Sequence, residues 1–121
     1  LTAAANDYTG VSANNAVVFT AGASGSRIMG LRFKANGTNV ASVVRVYYNN
    51  GSANTTATNN SFMGEQSLPA TTATATAATI DLDYYFPGGY LDIEASWRIL
   101  CGLGTAVAGG WTVTPIMGGD F

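Results

Sequence analysis

Apolar residues in this chain come in short alternating runs, and each run is closed by a cluster of Gly, Asn, Ser or Pro. A period of two puts one side chain in and the next one out, which is the pattern of a strand covered on one face. The runs are Asn15–Thr20, Arg27–Lys34, Val40–Tyr48, Phe62–Leu68, Ala78–Phe86, Tyr90–Ser96, Trp97–Leu103 and Trp111–Met117. All are rich in β-branched or aromatic residues. Between them lie Gly22–Gly25, Asn36–Gly37, Asn49–Gly51, Pro87–Gly89 and Gly109–Gly110, residues that tolerate the backbone angles of tight turns. No stretch places apolar residues at helical spacing between a cap and a closing glycine. Ala70–Ala78 alternates Thr with Ala directly after Pro69, which favours an extended segment.

About eight strands in 121 residues predict an all-β fold: a two-sheet sandwich of jelly-roll type, with little or no helix. A closed barrel is the other architecture such spacing allows. The expected inner face is Ile28, Gly30 with Leu31 and Phe33, then Val44, Val46 and Tyr48, then Ile80 and Leu82, then Ile99, Cys101 and Leu103, with a bulge at Gly30 able to shift the parity. Trp111, at the start of its run, reads as a core anchor. Residues 1–14 and Gly51–Asn60 have no period. The first is expected to be an N-terminal arm and the second a surface loop, with residues 15–121 forming one sandwich domain.

Composition removes most chemistry. The chain has no histidine, so no general base of near-neutral pKa is available to a serine or cysteine nucleophile. No enzymatic activity and no cofactor are expected. Cys101, the single cysteine, sits among apolar neighbours that would make its thiol inert, and it cannot form an internal disulfide or complete a zinc site. Five basic residues against seven acidic ones give no field for a phosphate backbone, so nucleic acid is excluded as a partner. The apolar runs are far shorter than the roughly 20 residues needed to cross a bilayer, which points away from membranes. Glycine-rich Gly22–Gly25 and Gly102–Gly104 lack the lysine and following helix of a phosphate loop. Four Asn-x-Ser/Thr sequons, at Asn36, Asn50, Asn54 and Asn59, are what so Asn- and Thr-rich a chain generates by chance.

Two carboxylate pairs share a strand face at i, i+2: Asp81 with Asp83, and Asp92 with Glu94. Asp81 and Asp83 are the candidate Ca²⁺ ligands. Arg32 and Lys34 form the matching basic pair, and if the two strands are neighbours the charges offset each other. Consecutive aromatics must face opposite ways, so one of Tyr47 and Tyr48, and one of Tyr84 and Tyr85, points away from the core and is available for contacts. More than half of the residues are Ala, Thr, Gly, Asn or Ser. Surfaces made of them cost little side-chain entropy to bury against a partner.

The stretches Tyr8–Thr20, Leu31–Ala41 and Gly102–Trp111, with the ending Gly118-Gly119-Asp120-Phe121, resemble small β-rich virion proteins of tailed bacteriophages. The resemblance covers most of the chain apart from Asp83–Arg98 and implies a head decoration, or cement, protein. Such a protein would lie on the outer surface of the capsid, bind the major capsid protein, associate as a homotrimer and stabilise the mature head by bridging coat subunits. Leu1, Thr2, Asn6, Tyr8, Tyr84, Tyr85 and Phe86 are the residues expected to touch partners. On this reading Leu1–Tyr8 is an arm lying on the shell or on a neighbouring copy, and its deletion leaves the fold intact. A tail-fibre or tail-tip module binding a host receptor or glycan is the alternative.

Overall fold

A computed structural model describes the whole chain, Leu1–Phe121. Eight strands form in order: β1 (Ala16–Thr20), β2 (Ser26–Ala35), β3 (Ser42–Asn49), β4 (Asn60–Leu68), β5 (Asp81–Tyr85), β6 (Leu91–Ile93), β7 (Arg98–Leu103) and β8 (Trp111–Asp120). The only helical residues are a 3₁₀ turn at Ala57–Asn59, and no helix is long and apolar enough to cross a membrane. Every run read from the sequence became a strand. The largest trimmings are at β5 and β6; at β6 the Trp97 N–H donates to the Glu94 carbonyl and Ser96 adopts φ +65°, turning the chain early.

The strands make two antiparallel sheets packed as a sandwich. The first has the order β1-β7-β3-β4. In the second, β2 is central: β8 pairs along one edge, while β5 and β6 pair in turn with the two halves of the other. Fifteen buried residues fill the space between, among them Ile28, Leu31, Phe33, Val44, Val46, Ile93, Ile99, Cys101, Leu103 and Trp111. Each large aliphatic or aromatic side chain in that layer stabilises the fold by about 1.5–3 kcal/mol relative to exposure. Trp111 is fully buried, as its position predicts.

β2 changes the face it buries part-way along. Ile28 is buried; then Leu31, Phe33 and Ala35, of opposite parity, are buried while Arg32 is exposed. The switch falls at Gly30. Opposite it β8 distorts in step, with Met117 at φ +56° and Gly118 at φ +139°, so the register between Ile28↔Gly118 and Gly30↔Ile116 is preserved. A Cβ on Gly118 would lie 1.9 Å from the Arg27 carbonyl oxygen. Only glycine fits there.

One inner-face expectation needs correction, and one outward-facing residue is buried for a separate reason. Ile80 is 41% exposed, because it precedes β5 in the crossover from the first sheet to the second and never enters the sandwich. Tyr47, expected to alternate outward, is fully buried. The reason lies in the N-terminal segment, which covers the outer face of the first sheet.

Cys101 is free and buried between the layers, and burial pushes its thiol well above the ordinary value. A thiol reagent should therefore label the native chain only at the rate of global unfolding, while the chain in denaturant reacts at once. Rapid labelling without loss of strand signal would mean the two sheets part locally at β7.

Candidate interaction surface

The N-terminal segment is a strap and not a projecting arm. The Leu1 nitrogen donates to the Trp111 carbonyl at 2.7 Å, and the Trp111 N–H returns a bond to the Leu1 carbonyl at 2.9 Å. Val107 donates to the Thr2 carbonyl, and Ala5 and Asn6 both donate to the Leu103 carbonyl. Ala4 bridges Leu103 in parallel fashion. From there residues 6–15 cross the outer face of the first sheet, where a row of directly opposed residues, Phe62, Tyr47, Leu100 and Val17, runs from β4 through β3 and β7 to β1. Tyr47 and Leu100 in the middle of that row are buried, whereas Phe62 and Val17 at its ends stay exposed. The strap covers apolar surface that bare β3 and β7 would present to water.

Asp7 fastens this cover. Its carboxylate accepts N–H bonds from Thr9, Gly10 and Ser12 and one from the Asn15 side chain. Burial pulls the carboxyl upward, but those backbone and side-chain donors outweigh it and leave the group below its usual value. The Tyr47 hydroxyl donates to the Asp7 carbonyl at 2.5 Å. Burial, with Asp7 close by, pushes that phenol up to about 12. Asn54 and Asn60 donate to the carbonyls of Thr9, Gly10 and Ser12, so the aperiodic loop after β3 is the strap's second anchor.

A depressed folded pKa makes a contribution that is complete above the unfolded carboxyl value of about 3.9 and disappears as pH falls through the lower folded value. Asp7→Ala should cost about 1–2 kcal/mol at neutral pH, and this difference from the parent should vanish in the acid limb of a pH–stability curve. A cost that persists unchanged below that limb would show that Asp7 acts by packing alone.

At the strap's tip Tyr8 stands 58% exposed. Its ring meets Phe62 edge-on at 5.5 Å and receives the Arg45 guanidinium 4.0 Å from its centroid. Arg45 also reaches Glu65 across β4 at 3.4 Å and donates to Asn6 and the Tyr8 hydroxyl. This strip, Asn6, Tyr8, Phe62 and Glu65, is the most prominent polar–aromatic patch on the first sheet. Tyr8 and Asn6 were legible as candidates. Phe62 was not, because only the register Tyr47↔Phe62 brings it beneath the strap.

The outer face of the second sheet carries half of the charged residues, largely paired. Arg32 makes two bonds to Asp83, at 2.7 and 2.8 Å, and lies 3.8 Å from Asp81; Lys34 stands opposite Asp81 in the register. Arg27 does the same with Asp92, at 2.5 and 2.8 Å, beneath the Tyr90 ring at 4.0 Å. The hydrogen bonds from the guanidinium groups hold Asp83 and Asp92 below the usual carboxyl range. The Asp81–Asp83 pair considered for Ca²⁺ is thus an ion-paired ladder with Arg32, and nowhere do three or more Asp, Glu or Cys side chains converge.

Of the aromatic trio at the end of β5, Tyr85 points outward, 56% exposed, with its ring edge against the Gly30 backbone. Tyr84 is half-buried and Phe86 buried at 2%, the two rings meeting edge-on at 5.7 Å. Phe86 is therefore a core residue, not a contact residue. Alternation required one of Tyr84 and Tyr85 to face out, but Phe86 shares Tyr84's side.

The other surface features are shallow. A hollow of about 140 Å³ beside β8 is lined by Phe19, Ile28, Pro115, Ile116 and Met117. A wider one of about 300 Å³ lies between Pro69–Thr72 and Ala78–Ile80. Pro115, without an N–H, interrupts the donors of edge strand β8 and blunts it against indiscriminate strand pairing. No family model, no curated protein and no solved structure matches this chain.

Proposed function

We propose that this chain is a capsid decoration protein of a tailed bacteriophage, bound to the outer surface of the mature head and bridging subunits of the major capsid protein. One observation carries most of the weight: the sandwich holds three of its five basic residues in cross-strand pairs, Arg27–Asp92, Arg32–Asp83 and Arg45–Glu65, and offers small uncharged residues over most of the remaining surface. A clamp needs a stiff body and many shallow contacts multiplied by symmetry; it needs no reactive group. Such a body binds the assembled lattice and not its separated subunits, so it stabilises the shell by mass action. It works without catalysis, as a homotrimer, with Thr2, Asn6 and Tyr8 of the strap, and Tyr85 of the second sheet, as contact residues.

The test uses expanded heads that lack the protein. Purified chain should saturate them in a fixed ratio to coat subunits and raise their resistance to heat, and Tyr8→Ala should weaken retention while leaving the chain's own melting temperature within a few degrees. No retention on heads, together with attachment to tails or host cells, would replace this reading with a tail-fibre module that binds a receptor or glycan. What favours that alternative is the pair of exposed rings, Tyr85 and Tyr90, beside polar Arg–Asp pairs, a surface suited to stacking against a sugar.

A further inference from the structure

Two Asn-Gly steps occur in turns, and their surroundings differ in a way that bears on spontaneous chemistry. At Asn36–Gly37 the Asn36 side chain is exposed, the Gly37 N–H donates to no acceptor in the fold, and the Thr112 hydroxyl donates to the Asn36 side-chain oxygen at 2.9 Å. At Asn50–Gly51 the Gly51 N–H is held by the Asn49 side-chain oxygen at 2.9 Å. There the Asn50 amide is fixed from both ends, donating to Asn59 at 3.1 Å and accepting from the Ser52 N–H at 3.1 Å. The first step has a free nucleophile and a polarised carbonyl. The second also has a hydrogen-bonded carbonyl, but its nucleophile is held and its amide nitrogen is tied to Asn59.

We propose that Asn36 is a built-in site of self-modification, converting to aspartate and isoaspartate through a cyclic imide, while Asn50 is protected by its hydrogen bonds. In the reaction the Gly37 nitrogen loses its proton to solvent and attacks Cγ of Asn36. The Thr112 hydroxyl stabilises the negative charge that gathers on the side-chain oxygen. The amide nitrogen takes a proton from solvent, its bond to Cγ breaks and ammonia leaves, completing a five-membered succinimide. Water then adds to one of its two carbonyls: opening on one side gives aspartate, on the other isoaspartate, with the main chain rerouted through the former side chain.

The product matters because the loop is pinned on both sides of the site. The Asn36 N–H donates to the Gly110 carbonyl, and the Asn39 side chain both donates to the Gly110 carbonyl and accepts from its N–H. An extra main-chain methylene between those two anchor points strains the connection from β2 to β3. It also adds a negative charge beside Thr112, at the end of the sandwich where Leu1 pairs with Trp111. Age would then be written into one end of the molecule.

The experiment incubates the folded full-length chain at mildly alkaline pH and follows both sites by peptide mass mapping, with isoaspartate detected by enzymatic methyl transfer. Conversion at Asn36 should outpace Asn50 by on the order of 10- to 100-fold, the factor expected for breaking one to three protecting hydrogen bonds. In denaturant the two sites should react at similar rates. Thr112→Val, an exposed change, should slow Asn36 by roughly 5-fold in the native chain and not at all in denaturant. Equal native rates at the two sites, or an Asn36 that stays intact for as long as the unfolded chain needs to convert, would overturn the proposal. An unaltered rate in Thr112→Val would overturn the part assigned to that hydroxyl.

Discussion

Removing Leu1–Tyr8 takes away the Asp7 fastening of Thr9, Gly10 and Ser12 and should destabilise the chain by up to about 3–6 kcal/mol, the worth of returning Tyr47 and Leu100 to water once residues 9–15 lift as well. The backbone bonds of Leu1, Thr2, Ala5 and Asn6 to Trp111, Val107 and Leu103 are lost as well. Against a total stability of about 5–15 kcal/mol that is a large fraction, and the melting temperature should fall by on the order of 10–25 °C. The same deletion made on an arm that hangs free would leave the melting curve unmoved. Calorimetry of the shortened chain separates the two, and the expectation that these residues are dispensable for folding is one the contacts contradict.

The second large effect comes from adding atoms under the strap. A Cβ at Gly102 would sit 1.9 Å from the Asn15 side-chain oxygen and 2.8 Å from the Ala5 methyl, although its backbone is not in the left-handed region. Gly102→Val should therefore cost about 3 kcal/mol by lifting the strap from β7. In the chain already lacking Leu1–Tyr8, Ala5 is gone and Asn15 is free to turn away, so the same substitution should cost less than about 1 kcal/mol. That non-additivity is the signature of two changes acting on one contact. Full additivity would mean that valine disturbs the sheet itself. The buried side-chain oxygen of Asn15 has no hydrogen-bond partner and faces Gly102. We have no further physical account of why an asparagine is kept there.

The strands were legible because a one-sided strand writes its own period. Val44, Val46, Ile99, Cys101 and Leu103 alternate as a buried face must, and even the parity switch in β2 was signalled by Gly30. That Arg32 and Lys34 share a face, as Asp81 and Asp83 do, followed from spacing of two for the same reason, but that they stand opposite one another came only from the register of β2 with β5. What stayed hidden was the third layer. Leu1–Asn15 has no period because it is held by side-chain caps and isolated backbone bonds to distant residues, such as Ala5 to Leu103 and Tyr47 to Asp7, and such bonds leave no local pattern. The burial of Tyr47 follows from that layer: alternation put it on the outer face, where it lies, but could not show that this face is covered. Phe86 was misjudged for a simpler reason: three aromatics in a row must divide between two faces, and the sequence does not say which face receives two.

For function, these features describe a small body without histidine. Its few charges are largely matched within its own sheets, and its apolar outer row is capped by its own N-terminus. Its exposed surface includes the rings of Tyr8 and Tyr85 and a broad skirt of Thr, Ala and Gly, the surface on which the proposed contacts rest. Rigidity matters to a clamp because ordering costs are met once, during folding, and not again at every lattice site.

The most direct test is to image expanded phage heads after incubation with the purified chain. The account predicts repeated density on the outer surface at symmetry-equivalent positions, three sandwiches per site, with the Tyr8 tip or the Tyr85 face against coat subunits. Heads that remain bare at saturating protein, with the chain folded and active in some other assay, would contradict it.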